Sequence, residues 1–276
     1  MYLVCGATGN VGGELVRLLS DAGQPVRALT RGDKQPVLPA GVELATGDLD
    51  QPDSLSDALG GARGVFMLSG YADMPGLLSK VADASVERVV LLSSGAVVGG
   101  DLANAVVRYN VASEVAVRNS GVPWTILRPS GFHANALQWV PQLRAGDTVR
   151  EPFADVPVAA IDPLDIAAVA ALALTAPGHE GATYRLTGPE PIVPADRVRV
   201  LGDILDRKLR LEPLSNEEAR AQMSADMPAE YVDAFFSFFV DGTYDDSEVH
   251  PTVPQLLERP SRTFERWAHA HADAFR

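Results

Sequence analysis

Short apolar runs alternate with amphipathic segments over the first 130 residues of the chain. The apolar runs predict six strands, at 2–5, 26–29, 42–45, 64–68, 88–92 and 124–127. The intervening segments 14–19, 52–59, 76–84 and 103–119 have the apolar spacing of helices. Because continuous apolar strands are buried on both faces, the alternation predicts an α/β fold, a doubly wound parallel sheet covered by helices.

Right-handed crossovers in such a fold place the carboxyl ends of the parallel strands along one edge of the sheet. The residues that follow the predicted strands are 6–12, Thr30 and Arg31, Asp48, 69–71, Ser93 and Ser94, and 128–132. We therefore expect these segments to contribute to one site.

The pattern changes after residue 130. Predicted helices lie at 163–175, 194–205, 216–223, 228–240 and 261–275, and predicted short strands at 156–160, 184–186 and 209–211. Helix 163–175 has Asp162 at its cap position and Pro163 at its first helical position. This mixed α/β part of the chain predicts a smaller second region.

The first thirteen residues, MYLVCGATGNVGG, carry the clearest chemical signal. Gly6, Gly9 and Gly12 stand three residues apart, between the first predicted strand and the first predicted helix. Glycines allow the backbone to approach a pyrophosphate, and a helix N-terminus offers unsatisfied N–H groups and a favourable dipole. In this context the spacing predicts a dinucleotide-binding loop.

The end of the second predicted strand bears on which dinucleotide is bound. An acidic residue there would accept a hydrogen bond from the ribose of NAD, whereas an Arg accommodates a 2′-phosphate. The chain has Thr30 and Arg31, with no carboxylate before Asp33. NADP(H) is therefore favoured over NAD(H), the alternative being that Arg31 is a solvated loop residue. Asp48, after the third strand, has two open interpretations, an adenine contact or a turn-forming Asp.

The composition of the chain limits the kinds of partner that it can bind. The chain has 276 residues, a net charge of −13 and one cysteine. The acidic excess argues against direct nucleic-acid binding, and no apolar run approaches the roughly 20 residues of a membrane span. A single Cys excludes an internal disulfide and indicates a cytoplasmic location, with Cys5 a packing residue rather than a reactive thiol. His269 and His271 point to different helix faces, so no metal site is expected.

Several motifs together resemble the short-chain dehydrogenase/reductase superfamily. They are GATGNVGG at 6–13, TR at 30–31, GDLDQPDSL at 47–55 and LLSSG at 91–95. The stretch SEVAVRNSGVPWTILRPSGFHAN at 113–135 is similar to the atypical NmrA-like branch, which includes NAD(P)-dependent quinone and triphenylmethane dye reductases and a redox-sensing regulator. The resemblance implies a Rossmann-fold domain over residues 1–150, joined by segments of 157–190, and a smaller substrate-binding region over 151–276.

The resemblance also implies which residues bind the cofactor. The dinucleotide loop corresponds to Gly6, Thr8, Gly9, Asn10, Val11 and Gly12, and the selector of the ribose phosphate to Arg31. The adenine contact corresponds to Asp48 and Leu49. The nicotinamide side corresponds to Leu68, Ser69, Ser93, Ser94, Pro129 and Phe132.

The chain departs from the superfamily at the catalytic residues. Standard members use a Ser, a Tyr and a Lys four residues after the Tyr. Here Ser94 and Tyr109 correspond to the first two, but Ser113 stands in place of the Lys. Without that ammonium group a phenol is a poor general base near neutral pH, although it still donates a hydrogen bond.

The departure indicates the substrate class. Reduction of a simple ketone creates an alkoxide that needs prompt protonation, whereas a quinone or conjugated acceptor gives a delocalised anion that water protonates later. We therefore expect an NADP(H)-dependent reductase, a monomer or homodimer, acting on a small conjugated or quinone-like molecule. The alternatives are a non-catalytic NAD(P) sensor, and a biosynthetic ketoreductase, dehydratase or epimerase.

Overall fold

The six strands predicted in the first 130 residues and the strand predicted at 184–186 form one sheet of seven strands. The computed structural model describes residues 1–32 and 36–276, so Asp33 lies outside the described residues. The strands of this sheet are β1 (Tyr2–Val4), β2 (Val26–Thr30), β3 (Glu43–Thr46), β4 (Gly64–Leu68), β5 (Arg88–Leu92), β6 (Trp124–Pro129) and β8 (Ala182–Leu186), and a separate pair consists of β7 (Thr148–Glu151) and β9 (Arg210–Pro213). The order in the large sheet is β3-β2-β1-β4-β5-β6-β8. All pairs from β3 to β6 are parallel, which confirms the doubly wound α/β fold.

Eleven α-helices are found in the described residues. They are α1 (Asn10–Asp21), α2 (Ser56–Leu59), α3 (Met74–Asp83), α4 (Ala105–Arg118), α5 (Val140–Ala145), α6 (Pro163–Thr175), α7 (Pro194–Leu205), α8 (Asn216–Asp226), α9 (Ala229–Phe239), α10 (Thr252–Leu257) and α11 (Phe264–His271). Short 3-10 helices cover Pro52–Leu55, Gly95–Gly99, His133–Trp139 and Ala272–Phe275. No helix of the described chain is both long enough and apolar enough to cross a membrane.

Alternating side chains of the central strands bury both faces of the sheet. On one face Leu3, Val65 and Val89 join a core with Leu77 and Val81 of α3. The intervening Val4, Phe66 and Val90 are equally buried, and α1 packs on α6, which contacts β4 to β6. Each fully buried aliphatic side chain contributes about 1.5–3 kcal/mol of transfer free energy. This two-sided burial explains why the strands appear in the sequence as continuous apolar runs.

The chain divides into two units. The first contains Met1–Val97, Arg108–Pro129 and Pro163–Arg185, and the second contains Val98–Val107, Ser130–Asp162 and Leu186–Arg276. The predicted division at residue 150 differs from this grouping, because residues 130–150 lie in the second unit. Residues 163–185, within the 157–190 range expected to join the first region, lie in the first unit.

Two apolar cores are found among the described residues of the second unit. One is built around Trp139, Leu201, Phe264, Trp267 and Phe275. The other contains Leu214, Ala219, Val232 and Phe236 at the α8–α9 hairpin. The strand predicted at 156–160 is wrong, because Val158 forms only an isolated bridge to Ile192. The parallel pair of the second unit is β7 with β9 instead.

Candidate functional site

The glycine loop between β1 and α1 can be built only from glycine at two positions. Gly6 has φ +65°, and a Cβ there would lie 2.8 Å from Leu68 Cδ1. A Cβ on Gly12 would lie 2.1 Å from the carbonyl oxygen of Gly6, whereas the next glycine, Gly13, has no contact closer than 3.5 Å. The first turn of α1 thus passes directly over the backbone of Gly6.

The N-terminus of α1 fits an anionic group. Its N-cap, Gly9, has extended backbone and no side-chain cap, and the first turn has no acidic residue. The first N–H groups of a helix have no partner within the helix, so they remain available to a phosphate. Thr8, Gly9 and Asn10 are exposed, whereas the side chain of Val11 is buried. Val11 therefore can offer a ligand its backbone N–H and not its side chain.

Arg31 directly follows β2 and is exposed. Tyr71 follows β4 and lies close enough to Arg31 and Asp48 to interact with both electrostatically. Burial raises the pKa of the Tyr71 phenol, Asp48 raises it further, and Arg31 opposes the increase. The ends of β2, β3 and β4 are therefore brought together, as parallel topology predicts.

Asp48 forms the turn that follows β3. Its Oδ1 accepts a hydrogen bond from the Asp50 N–H at 3.0 Å, and its carbonyl oxygen accepts one from the Ser54 hydroxyl at 3.1 Å. Leu49 is buried in the core. The turn-forming interpretation of Asp48 is therefore observed, and its adenine contact stays a prediction.

Helix α4 is fixed to the loop after β4 by two polar contacts. Ser69 Oγ donates to Asn110 Oδ1 at 2.6 Å. The Gly70 N–H donates to Ser113 Oγ at 3.0 Å, and this hydroxyl in turn donates to the Tyr109 carbonyl oxygen at 2.8 Å. Ser113, the position of the missing Lys, is thus a buried tether.

The two predicted catalytic residues stand in different settings. The ring of Tyr109 lies against Gly70, where a Cβ would come within 3.2 Å of Tyr109 Cδ2. Gly70 has φ +96°, which also favours glycine. Ser94 is half-buried, and its Oγ accepts a hydrogen bond from the Ala96 N–H at 3.2 Å.

A buried carboxylate organises the ends of β5 and β6. Glu114 is 3% exposed, and Arg128 donates to both of its oxygens at 2.8 and 2.6 Å. Ser93 Oγ donates to the same carboxylate at 2.7 Å. Burial alone would raise the pKa of Glu114, but the hydrogen bonds from Arg128 and Ser93 and the charge of Arg128 hold it below its ordinary value. The hydroxyl of Ser93 therefore supports Glu114, and Pro129 is buried at the end of β6.

The second unit contains a cavity of about 630 Å³. Phe132, predicted to lie beside the nicotinamide, is among its lining residues. The apolar part of the lining includes Phe153, Met223, Met227, Phe235 and Phe239. The polar part consists of Asn135, Gln138, Gln142, Arg150, Glu151, Arg197, Gln222, Asp226 and Asp246.

Aromatic contacts order the apolar wall. The Phe153 ring meets Phe236 edge-on, with centroids 5.3 Å apart, and lies 5.2 Å from Phe239. Phe235 stacks on Phe239. Phe153 has φ +53°, a left-handed conformation that is costly for a side chain of this size. The strained backbone of Phe153 thus lies in the wall of the cavity.

The charged residues of the cavity differ in how well they are paired. Glu151 accepts hydrogen bonds from Trp139 Nε1 at 2.7 Å and Gln138 Nε2 at 3.1 Å. Burial raises the pKa of Glu151, against the opposing effects of Trp139 and Arg197. Asp246 accepts from the Gly131 N–H and the Tyr244 hydroxyl. Arg197 is 8% exposed, and its Nε has no hydrogen-bond partner among the described residues.

Sequence reasoning did not select Arg197, Glu151 or Phe153. Arg197 did give a signal: it lies on the apolar face of α7 with Pro194, Val198 and Leu201. A charged residue on a buried helical face needs a partner or a function. Glu151 and Phe153 belong to a segment whose strand was not predicted, so nothing local indicated their position.

A strand that turns through glycines into an uncapped helix defines a Rossmann-type dinucleotide-binding protein. A protein family described as NAD(P)H-binding matches residues 6–177, and the chain belongs to this family. The resemblance to NmrA-like short-chain dehydrogenases/reductases is thereby confirmed.

Individual relatives extend the match to the full length. The chain is 40% identical to a (4-alkanoyl-5-oxo-2,5-dihydrofuran-3-yl)methyl phosphate reductase of Streptomyces griseus subsp. griseus. This alignment spans 280 residues and covers all of this chain and 99% of the relative. It is 34% identical to the NAD(P)H azoreductase of Xenophilus azovorans, over 100% of this chain and 99% of that protein. Because these relatives are reductases, the expected class, an NAD(P)H-dependent oxidoreductase, is confirmed.

Solved structures agree on the fold. The triphenylmethane reductase of Citrobacter sp., in complex with NADP(H), aligns with a TM-score of 0.78 at 21% identity. The alignment covers 99% of this chain and 100% of the reductase.

Proposed function

We propose that this protein uses NADPH to reduce a small conjugated or quinone-like acceptor. The observation that carries the proposal is Ser113, a buried serine tether at the position where standard members of the superfamily have a Lys. The chain thus keeps a dinucleotide loop but lacks the group that adapts the family's Tyr to ketone chemistry.

The residues of the first unit suit the cofactor. The backbone from Thr8 to Gly12 would hold the pyrophosphate, and Arg31 would pair with the 2′-phosphate that distinguishes NADP from NAD. Asp48 and Leu49 would border the adenine. Leu68, Ser69, Ser93, Pro129 and Phe132 would surround the nicotinamide, which supplies a hydride when bound. We propose a small-molecule substrate, bound in the second unit, and a cytoplasmic monomer or homodimer.

For such an acceptor the protein needs to supply little acid catalysis. Tyr109 would donate a hydrogen bond to the oxygen of the acceptor, and Ser94 would assist it. A neutral hydrogen bond contributes about 0.5–1.5 kcal/mol, far less than a matched general acid. This suffices only where conjugation already spreads the negative charge that hydride addition creates. Positioning the acceptor and excluding water supply the remainder.

The relatives support the same acceptor class. The name of the Streptomyces relative describes an unsaturated ring lactone with an acyl group and a phosphate ester, and the Xenophilus relative reduces azo compounds. Both acceptors are conjugated. The cavity of the second unit, about 630 Å³, is within the size range of small-molecule sites, and we propose that it receives the acceptor.

NADPH oxidation against a panel of acceptors tests the proposal. The panel contains quinones, azo dyes, acyl-substituted unsaturated lactones and saturated ketones. We expect kcat/KM for the best conjugated acceptor to exceed that of saturated ketones by about 100-fold or more, the scale of a missing general acid. Tight NADPH binding without turnover of any acceptor would instead indicate a sensor, and a preference for saturated ketones would indicate a ketoreductase.

A further inference from the structure

Arg197 is a buried cation on the wall of the second unit's cavity. It lies in α7, whose buried residues also include Pro194, Val198 and Leu201. Only 8% of the residue is exposed, and its Nε has no hydrogen-bond partner among the residues described. Burial lowers the pKa of this guanidinium, and the nearby Glu151 opposes the decrease. An Arg nevertheless stays charged at neutral pH.

The other arginines near this site are paired. Arg150, also on the cavity, donates to Glu212 and Glu218, each at 2.9 Å. Arg199, two residues along α7, is at the surface and bonds Asp196. A buried unpaired charge costs several kcal/mol unless a partner compensates it. The contrast within one helix indicates that the hydrogen-bonding partner of Arg197 comes from outside the chain.

Glu151 acts on the Arg197 guanidinium electrostatically, but no hydrogen bond joins the two among the described residues. The hydrogen bonds that the Glu151 carboxylate accepts come from Trp139 and Gln138. His133 is another titratable neighbour, and burial lowers its pKa to about 4, so its ring is neutral. An incoming group that meets the guanidinium therefore needs negative charge of its own. The planar fork of an Arg matches the oxygens of a phosphate, sulfonate or carboxylate.

The apolar residues of the cavity lining indicate the rest of the ligand. Phe153, Phe235 and Phe239 present ordered aromatic rings, and Met223 and Met227 lie beside them. Methionine side chains adapt to varied apolar shapes. The lining thus fits a molecule with an apolar body and a charged end.

We propose that the cavity binds acceptors that carry an anionic substituent, with Arg197 as the specificity-determining residue that pairs with it. The inference rests on the proposed function, because it identifies the substrate class of that reductase. The inference goes beyond the proposed function because it names the side chain that binds the anionic substituent.

Matched ligand pairs test the assignment. One pair is an azo dye with a carboxylate and its methyl ester, and the other is an acyl-substituted unsaturated lactone with a phosphate ester and its parent alcohol. In wild type we expect the anionic member to bind and react about 10- to 100-fold better, the range of one charged hydrogen-bonded contact. Arg197→Met should bring that ratio close to one, and Arg197→Lys should keep part of it. Arg199→Met is the matched control and should leave the ratio unchanged.

Calorimetric titration of the same ligands separates the two proposals. A wild-type protein that binds the anionic member preferentially but oxidises no NADPH would refute the reductase and support the anion site. Turnover of both members with equal kcat/KM, and equal losses in Arg197→Met, would overturn the anion site alone. Inorganic phosphate is titrated as well, and binding as tight as that of the phosphate ester would overturn a role for the apolar wall.

Thermal unfolding without ligand provides a further readout. If Arg197 lacks a partner within the fold, Arg197→Met should melt at the same temperature as wild type or higher. A clearly lower melting temperature, or failure to fold, would show that the fold itself needs the guanidinium and would overturn the proposal.

Discussion

Ser113 Oγ accepts a hydrogen bond from the Gly70 N–H at 3.0 Å and thereby joins α4 to the loop after β4. The same hydroxyl donates to the Tyr109 carbonyl oxygen. Ser113 is 1% exposed, so the position does not have the space or the solvent that a Lys would need. What serves as a catalytic position in standard members of the superfamily is a structural contact here.

Replacing Ser113 should therefore lower the free energy of unfolding, and a Lys should lower it more than an Ala. Ser113→Ala leaves the Gly70 N–H without its acceptor, which should cost about 1–3 kcal/mol. Ser113→Lys should cost more, because it buries an ammonium group, and it should not create activity on saturated ketones. Urea unfolding and NADPH oxidation measure both effects. Ser56→Ala, an exposed serine that bonds the Asp53 carbonyl oxygen, is the control. A stable Ser113→Lys variant that reduces cyclohexanone would contradict this interpretation.

The adjacent glycines 12 and 13 give a sharp test of the dinucleotide loop. A Cβ on Gly12 would lie 2.1 Å from a backbone oxygen, whereas one on Gly13 would make an ordinary contact of 3.5 Å. Gly12→Ala should displace the first turn of α1 and abolish NADPH binding measured by fluorescence titration. Gly13→Ala should bind normally and gain up to about 1 kcal/mol in helix stability. Similar affinities in the two variants would show that α1 does not need to pass over Gly6.

The fold was predictable where burial is two-sided and local. Strands 64–68 and 88–92 coincide with β4 and β5, because central strands of a parallel sheet are apolar throughout. Pro163–Thr175 is also as predicted, since its cap and first-turn Pro are local signals. The second unit offered fewer such signals. Its strand β7, TVRE, has no apolar run that would predict a strand. The strand is defined by its pairing with β9, whose residues lie about 60 positions away in the sequence.

The candidate site divides in the same way. The glycine loop follows from rules that act over ten residues, so it could be read from the sequence. The tether at Ser113 depends on a contact 43 residues away. Arg197 and Phe153 meet at one cavity only through the packing of several elements of the second unit. Nothing in their immediate sequence neighbourhoods encodes that arrangement, apart from the charge on the apolar face of α7.

Arg31 should control the choice between NADPH and NADH. Arg31→Ala removes the cation proposed to pair with the 2′-phosphate, so the Kd for NADPH should rise by about 10- to 100-fold, the range of a charged hydrogen bond. The Kd for NADH should change little. Arg17→Ala, at an exposed arginine of α1 that pairs with Glu14, should alter neither. Equal losses for both cofactors would refute the selector role and leave Arg31 as a solvated loop residue.

Tyr109 should contribute a hydrogen bond rather than a proton transfer matched to neutral pH. Tyr109→Phe should lower kcat for a quinone by about ten-fold, the worth of one neutral hydrogen bond. The pH profile of kcat should keep its shape near neutrality. Tyr184→Phe, which removes the hydroxyl bonded to His179, serves as the control and should leave kcat unchanged. An unaltered kcat in Tyr109→Phe would exclude the phenol from the reaction, and a loss above about 100-fold would make it a true general acid.

Glu114 links the stability of the first unit to pH. Its pKa lies below the ordinary value in the folded state, so the folded carboxylate holds its proton less tightly than the unfolded one. Its contribution is therefore complete above the unfolded pKa of about 4.3 and is lost as the pH falls through the lower, folded pKa. Glu114→Gln leaves Arg128 without its bidentate partner, which should cost about 3 kcal/mol at pH 7.

Urea unfolding of wild type and Glu114→Gln between pH 3 and pH 7 tests this linkage. The difference between the two proteins should be constant near neutrality and decrease in the acid range, where the wild-type carboxyl group also loses its charge. Glu87→Gln is the matched control, since Glu87 forms a two-hydrogen-bond pair with Arg63 at the surface and solvent screens such pairs. It should change stability little at any pH. A difference for Glu114→Gln that stays the same down to pH 3 would mean that its side chain acts through packing, because loss of charge would then have no effect.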